Sequence, residues 1–212
     1  MGKAIQLLFF CFIATGWATA QKAESVLNKA SAAYENSNGL SALFAANIQY
    51  EKQGVSESFE GTIEMKGDKF VLKTPDTYTW YDGKTQWAYV VRTDEVNISN
   101  PSGDELQFTN PMILLRTYKK GFNLAYIGES TSDNGKIADD VLLASKSKND
   151  IEKIEIQIEK NSSLPVRLTV TMKNGLRSVI RISKMKTGVN QPDAMFVFNP
   201  ADYPDAEEVD LR

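Results

Sequence analysis

The sequence contains no histidine, and its single cysteine is Cys11. Cys11 lies in an N-terminal apolar run that we expect to be removed, which leaves a mature chain without either residue type. A Ser-His-Asp triad, a thiol nucleophile, a conventional zinc site and a redox disulfide are therefore excluded. Carboxylate chemistry, a Ser-Lys pair or a carboxylate-bound hard cation remain as alternatives.

Paired carboxylates are the candidates for such chemistry, and their surroundings argue against it. Each pair lies beside Gly, Asn, Ser or Pro, where solvated loop carboxylates are expected, and none has the spacing of a calcium loop. The sequence also lacks the G-x-S-x-G elbow of lipid hydrolases. We therefore expect no catalytic residue, no metal site and no enzyme. The pairs are Asp94-Glu95, Asp104-Glu105, Asp139-Asp140 and Glu207-Glu208.

Positive charge is not in excess, since 24 Lys and Arg residues stand against 27 Asp and Glu residues. With a net charge of -3, the chain is not expected to hold a nucleic acid or an anionic membrane by charge. Its 212 residues, of which 42% are hydrophobic, fit one globular domain.

The N-terminus has the features of a secretory signal peptide. Lys3 precedes the apolar run "AIQLLFFCFIA", and "ATA" precedes Gln21. The run is short for a membrane span, and "LFF" before Cys11 is unlike a lipoprotein cleavage site. We predict a cleaved signal peptide over residues 1–20, a single domain over 21–212 and no lipid anchor.

After the signal, the pattern predicts one amphipathic helix followed mostly by strands. Apolar residues recur at helical spacing from Glu24 to Tyr34, and Asn38-Gly39 predicts the end of the helix. The first hairpin, "FEGTIEMKGDKFVLK", alternates apolar and polar residues. A two-residue turn at Gly67-Asp68 pairs Met65 with Phe70 and Ile63 with Leu72, on one apolar face.

The stretch "TWYDGKTQWAYV", from Thr79 to Val90, concentrates aromatic residues around an Asp-Gly pair. A two-residue turn at Asp82-Gly83 would pair Trp80 with Thr85 and Tyr78 with Trp87. One face would then carry a broad aromatic wall, which is ordinarily core covered by another layer. The members of this wall are Tyr78, Trp80, Trp87, Tyr89 and Val91.

Two further hairpins follow the same alternation. "KIEIQIEK" places Ile154, Ile156 and Ile158 inward. At Asn174-Gly175 a two-residue turn would mix the faces, whereas a three-residue loop pairs Leu168 with Ile180, so we predict the longer loop.

Successive hairpins with one apolar face predict a curved antiparallel sheet, which must either close into a barrel or pack helices into its concavity. A second, shorter helix is expected in "PMILLRTYKKGF". Its run from Met112 through Ile113 and Leu114 to Leu115 is too apolar to face water, so it is a candidate lid.

Four stretches, "FEGTIEMKGDKF", "YDGKTQWAYV", "EVNISNPSGDELQFTNPMILL" and "FVFNPADYPDAEEVDLR", together resemble the outer-membrane lipoprotein carrier protein LolA family, in its divergent branch. The resemblance implies an unclosed antiparallel β-barrel, mainly β with α, whose helices cover a concave apolar face. It also implies a periplasmic chaperone without a cofactor, which takes lipoproteins from an inner-membrane ABC transporter complex and passes them to an outer-membrane acceptor, which in some bacteria is a lipoprotein receptor.

A carrier of this kind answers a large energetic need, because a triacylated lipoprotein exposes on the order of 45 methylenes, worth roughly 35 kcal/mol. We expect a monomer that binds acyl chains on one apolar wall. The alternative is a periplasmic lipid- or lipoprotein-sensing regulator on the same fold. The expected wall consists of Ile63, Met65, Phe70, Leu72, Tyr78, Trp80, Trp87, Tyr89, Ile154, Ile156, Leu168, Val170 and Ile180.

One feature departs from the family pattern. The resemblance implies that classical members carry an arginine soon after the glycine aligned with Gly61, where it helps to latch the lid. Here that position is Gly67, and the neighbouring Lys66 and Lys69 point to the polar face. The arginine latch is therefore not expected in this chain.

Overall fold

One α-helix precedes twelve β-strands in this computed structural model, which describes residues 3–50, 53–102, 105–106, 113, 118–119, 121–146 and 150–212. Helix α1 spans Lys3–Glu35. The strands are β1 Leu40–Tyr50, β2 Val55–Lys66, β3 Lys69–Lys73, β4 Thr77–Tyr81, β5 Gln86–Val90, β6 Glu95–Ser99, β7 Phe122–Thr131, β8 Ile137–Ser145, β9 Ile151–Glu159, β10 Pro165–Met172, β11 Leu176–Thr187 and β12 Glu207–Asp210.

All the described strands form one sheet, in the order β12-β6-β5-β4-β3-β2-β1-β11-β10-β9-β8-β7. Neighbouring strands are antiparallel except for β12, which runs parallel to β6. The sheet is long and curved, and its edge strands β12 and β7 do not pair with each other. The predicted fold class, mainly β with α, an unclosed antiparallel barrel with helices on its concave apolar face, is confirmed, with α1 as the single long helix among the described residues.

Helix α1 packs on one side of this sheet, which we call the inner face. Ala23, Leu27, Ala30 and Tyr34 recur at helical spacing, and all are almost fully buried. The helix ends at Glu35, just before Asn38 and Gly39, whose φ angles of 50° and 99° are left-handed. The helix predicted from Glu24 to Tyr34 is therefore confirmed as the last part of α1.

Strand β1 was not predicted, although its sequence carries the signal. In "LSALFAANIQY", Leu40, Ala42, Phe44 and Ala46 alternate with less buried residues. These four side chains join the inner core, and β1 lies between β2 and β11 near the middle of the sheet.

Two predicted hairpin registers are confirmed. Strands β2 and β3 pair Ile63 with Leu72 and Met65 with Phe70. Strands β10 and β11 pair Leu168 with Ile180, with the three-residue connection between Met172 and Leu176.

The register predicted for the aromatic hairpin is wrong by two residues. Tyr78 lies opposite Tyr89 and Trp80 opposite Trp87, so the connection has four residues. The reason is Asp82, whose carboxylate accepts hydrogen bonds from the backbone N–H groups of Lys84 and Thr85 at 2.8 and 2.7 Å. This local turn outcompetes the two-residue turn. Because the shift is even, the four aromatics still share one face.

That face is not the inner face. Across β3 and β4, Val71 lies opposite Trp80, whereas Phe70 lies opposite Tyr81. Tyr78, Trp80, Trp87 and Tyr89 therefore point away from Phe70 and Leu72, to the outer side of the sheet. Strand β3 has apolar residues on both sides of the sheet. Phe70 and Leu72 pack in the inner core, and Val71 packs with the aromatics on the outer side.

The C-terminal residues 191–212, which we call the C-terminal strap, cover the outer aromatics. Phe196 and Phe198 are buried there, and Phe198 meets Trp80 edge to face at 5.4 Å between ring centroids. Tyr203 packs on Tyr89 at 4.6 Å. These side chains form a second core, the outer cluster, which consists of Val71, Tyr78, Trp80, Trp87, Tyr89, Val96, Phe196, Phe198 and Tyr203.

Polar contacts hold the start of the strap. The carboxylate of Asp193 accepts from Lys69 at 2.7 Å and Lys66 at 3.1 Å, so both lysines do lie on the side away from α1. The buried Gln191 side chain donates to the backbone oxygen of Leu40 at 3.1 Å. A Cβ at Gly39 would come within 2.0 Å of Gln191 Oε1, so only glycine fits there.

The predicted signal peptide lies at the start of α1, and its cleavage after residue 20 stays a prediction. Within the described ranges, no helical stretch combines the length and hydropathy that crossing a membrane requires.

Candidate functional site

The inner face is the candidate functional site, because it is the large apolar surface of the sheet. Its residues come from β1–β4 and β7–β11, and together with α1 they form one cluster. Most of the predicted wall lies here: Ile63, Met65, Phe70, Leu72, Ile154, Ile156, Leu168, Val170 and Ile180.

The prediction that these residues form one continuous apolar wall was wrong. Tyr78, Trp80, Trp87 and Tyr89 belong to the outer cluster under the C-terminal strap, on the other side of the sheet. Val91 is exposed beyond the end of β5. The aromatic hairpin is therefore core, as such faces ordinarily are. The structure separates these aromatics from the inner apolar residues by the full thickness of the sheet.

Part of the inner face extends beyond α1. The helix packs mainly on β7 and β8, whereas β2, β10 and β11 carry apolar inner residues that are only half-buried. We call these residues the apolar band. Their inward orientation follows from cross-strand pairs such as Ala46 with Ile180 and Phe59. The band consists of Phe59, Val170, Met172, Ile180 and Ile182.

Phe59, Met172 and Ile182 were not predicted as site residues. Phe59 continues the alternation of Ile63 and Met65, and Ile182 continues that of Ile180. The inward position of Met172 could not be assigned from alternation alone, because its pairing with Ile151 at the end of β10 is irregular.

The described residues of the connection between β6 and β7 lie on the inner side of the sheet. The connection must pass from β6, near one edge, to β7, at the other. Leu106, Ile113 and Tyr118 along this connection all pack with the inner cluster. Of the predicted lid, Ile113 is half-buried against that cluster, and Met112, Leu114 and Leu115 lie outside the described residues.

Polar contacts fix α1 at three points along its length. Near its end, the Tyr34 hydroxyl donates to the backbone oxygen of Gly67 at 2.6 Å. In its middle, Asn28 Oδ1 accepts from the Tyr118 hydroxyl at 2.7 Å. The end of α1 is therefore held by a backbone oxygen in the turn between β2 and β3.

The third contact joins the helix to the edge strand β7. The ammonium of Lys22 lies 3.8 Å from the centre of the Tyr126 ring. The Tyr126 hydroxyl donates to Asp139 at 2.8 Å, and burial together with this bond raises the pKa of Tyr126 to about 12. This carboxylate therefore has a structural partner.

The inner face changes character toward β6. Beyond Phe70 and Tyr81, most of the residues that point inward are polar or small, and Val90 is the apolar exception. Thr79 lies opposite Ala88, and Gln86 lies between Tyr81 and Ser99. The Oε1 atom of Gln86 is buried and has no hydrogen-bond partner among the described residues.

Three carboxylates of the acidic pairs, Asp94, Glu105 and Asp139, accept hydrogen bonds from nearby described residues. Asp94 accepts from the Tyr89 hydroxyl at 2.7 Å, and the Glu105 carboxylate accepts from the backbone N–H of Ser102 at 2.6 Å. In the part of the chain that the structure describes, no three acidic, His or Cys side chains come together in a way that could hold a metal ion.

Comparison with known proteins gives one family. A family model described as outer membrane lipoprotein carrier protein LolA matches residues 13–176. No curated protein shows significant sequence similarity to the chain.

Three solved structures illustrate the similarity in fold. An uncharacterized conserved protein from Thermus thermophilus has a TM-score of 0.62 and 17% identity, over 89% of this chain and 99% of that one. A LolA superfamily protein from Nitrosomonas europaea has a TM-score of 0.48 and 14% identity, over 85% and 98%. MucB in the Pseudomonas aeruginosa MucA/MucB complex has a TM-score of 0.42 and 13% identity, over 84% and 61%.

Proposed function

Because this chain belongs to the LolA family of outer membrane lipoprotein carrier proteins, we propose that it binds the acyl chains of lipoproteins on its inner face. It carries them through the periplasm from the inner to the outer membrane. The apolar band is the observation that supports this proposal most, since it offers half-exposed apolar surface beside a buried core.

An acyl chain reaches the inner core only if α1 moves aside. The free energies of burial favour the acyl chain over the helix. Burial of an acyl chain of about 16 carbons is favourable by roughly 12 kcal/mol, because its methylenes leave water. Helix α1 buries two large side chains there, Leu27 and Tyr34, and the burial of each contributes about 1.5–3 kcal/mol. An acyl chain therefore competes well with α1 for the inner core, and the apolar band gives it a place to enter.

The partners follow from the same role. An inner-membrane ABC transporter complex supplies the lipoprotein, and an outer-membrane acceptor receives it. The mature chain, residues 21–212, works as a single-domain periplasmic monomer without a cofactor, and it binds its cargo without a chemical reaction.

The test is to purify the protein from a periplasmic extract of its native host and to identify co-purifying molecules by mass spectrometry. The proposal expects acylated lipoproteins in a one-to-one complex. A folded monomer that carries only free phospholipid, or no lipid at all, would contradict the carrier function and favour a sensing role.

A further inference from the structure

The inner face has an apolar part and a polar part, and the polar part lies at β4–β6. Thr79 of β4 is buried although it carries a hydroxyl, and the inward residues of the next two strands are mostly polar. Besides Tyr81, the inward residues are Thr77 and Thr79 of β4, Gln86, Ala88 and Val90 of β5, and Glu95, Asn97 and Ser99 of β6. A pure acyl-chain site has no use for such a surface, because buried polar groups without partners are costly.

Gln86 is the residue of this polar part whose side chain has a buried acceptor without a hydrogen-bond partner in the described part of the chain. Its Oε1 is fully shielded from solvent and accepts no hydrogen bond from any described residue. Neighbouring polar groups are satisfied, since the Thr85 hydroxyl donates to Asn100 Oδ1 at 3.1 Å and Asn97 donates to Glu95 at 2.8 Å. An unpaired buried acceptor costs stability, so it is expected where a ligand supplies the donor.

The position of Gln86 suits the polar head of an acylated ligand. It lies opposite Tyr81, which packs in the inner cluster against Phe70 at 5.4 Å between rings. On its other side it faces Ser99, the last residue of β6. A ligand whose chains lie along Phe70 and Tyr81 therefore has its head within reach of Gln86.

We propose that the polar part of the inner face is a head-group subsite in which Gln86 Oε1 accepts a hydrogen bond from an N–H next to the acyl chains. This inference rests on the proposed function and deepens it. The amide and peptide N–H groups of an acylated cysteine are donors of this kind, whereas the carboxylate of a free fatty acid only accepts. The subsite therefore distinguishes lipoproteins from free fatty acids.

The test compares two probes on the mature protein and on Gln86→Met, which keeps the length of the side chain and removes the acceptor. The probes are a synthetic dipalmitoyl cysteinyl lipopeptide and palmitate, and both are measured by displacement of a fluorescent fatty acid. The variant is expected to raise the Kd for the lipopeptide about five- to tenfold and to leave the Kd for palmitate unchanged. The matched control is Gln49→Met, since Gln49 is also half-buried but lies on the outer side of β1.

A second readout separates a ligand role from a structural one. Loss of an unsatisfied buried acceptor is expected to raise the Tm of the unliganded variant by about 2–4 °C. A lower Tm, or equal weakening of both probes, overturns the subsite. Unchanged binding of both probes by Gln86→Met overturns it too, while the carrier proposal stands. Failure of the native protein to bind either probe overturns both.

Discussion

Tyr34 and Gly67 join the end of helix α1 to the turn between β2 and β3, through a hydrogen bond of 2.6 Å from the phenol hydroxyl to the backbone oxygen. Tyr34 is almost fully buried, so its ring also packs in the inner core. The bond therefore holds the end of the helix over that core. Its acceptor is a backbone oxygen at a glycine, which has no side chain.

Replacing Tyr34 with Phe is expected to keep the packing and remove this bond. Stability should fall by about 1 kcal/mol, and acyl-chain uptake should become faster because the helix end is released. Urea denaturation and stopped-flow fluorescence with a labelled fatty acid measure the two effects. Ser31→Ala in the same helix, which removes only an exposed contact to Glu35, is the control and should change neither. Slower uptake by Tyr34→Phe would contradict a closing role for the bond.

The apolar band predicts a difference between two adjacent residues of β10. Val170 points inward and Thr171 outward, and both are half-buried. Val170→Glu should weaken palmitate binding about tenfold or more, because a carboxylate then lies where the chain must pack. Thr171→Glu lies opposite Arg177 and Lys153 and should bind as the native protein does. Titration with a fluorescent fatty acid compares the two, and similar losses would show that the band is not the site.

The outer cluster is expected to stabilise the fold without touching the ligand. Phe198 is buried against Trp80 and Tyr203, so Phe198→Ala should cost about 3–5 kcal/mol of unfolding free energy. Below its lowered Tm, the variant should bind palmitate with native Kd. Thermal unfolding measures the loss of stability, and titration at a temperature where the variant is folded measures the Kd. A loss of binding by the folded variant would indicate that the outer aromatics contact the ligand.

The attachment of the C-terminal strap should depend on acid pH. Hydrogen bonds from Lys69 and Lys66 hold the pKa of Asp193 below its ordinary value of 3.8. A lowered pKa in the folded state means that the ion pairs contribute fully above pH 3.8 and are lost as the pH falls through the folded value. The fluorescence of Trp80 and Trp87 under the strap should change over this acid range. Asp193→Asn should already resemble the acid state at pH 7; native-like fluorescence changes in that variant would rule out Asp193 as the cause.

Local alternation was enough to predict the hairpins in which turn and pattern agree. Glycine at Gly67 and Gly175, with φ angles of 59° and 91°, fixed registers that the structure confirms. The aromatic hairpin failed in register because the Asp82 side chain caps a longer turn, and side-chain to backbone bonds of this kind are not visible in an apolar pattern.

The face of the aromatics failed for a different reason. Alternation tells which residues share a face within a hairpin, but not which side of the sheet that face occupies. The side is decided across Thr74–Asp76, where no pattern sets the register between β3 and β4. The run Phe70-Val71-Leu72 was the signal that both sides of β3 are buried. Its outer partner, the C-terminal strap, is more than a hundred residues away in sequence, as the bond between Lys66 and Asp193 illustrates.

Residue-resolved photo-cross-linking with a diazirine-bearing palmitate tests most directly whether acyl chains bind the inner face. After irradiation, mass spectrometry of peptides locates the adducts. If acyl chains bind the inner face, labels are expected at Phe59, Ile180 and Ile182, and none at the outer residues Tyr78, Trp87 and Tyr89. Labels on those outer aromatics, with an unlabelled apolar band, would contradict it.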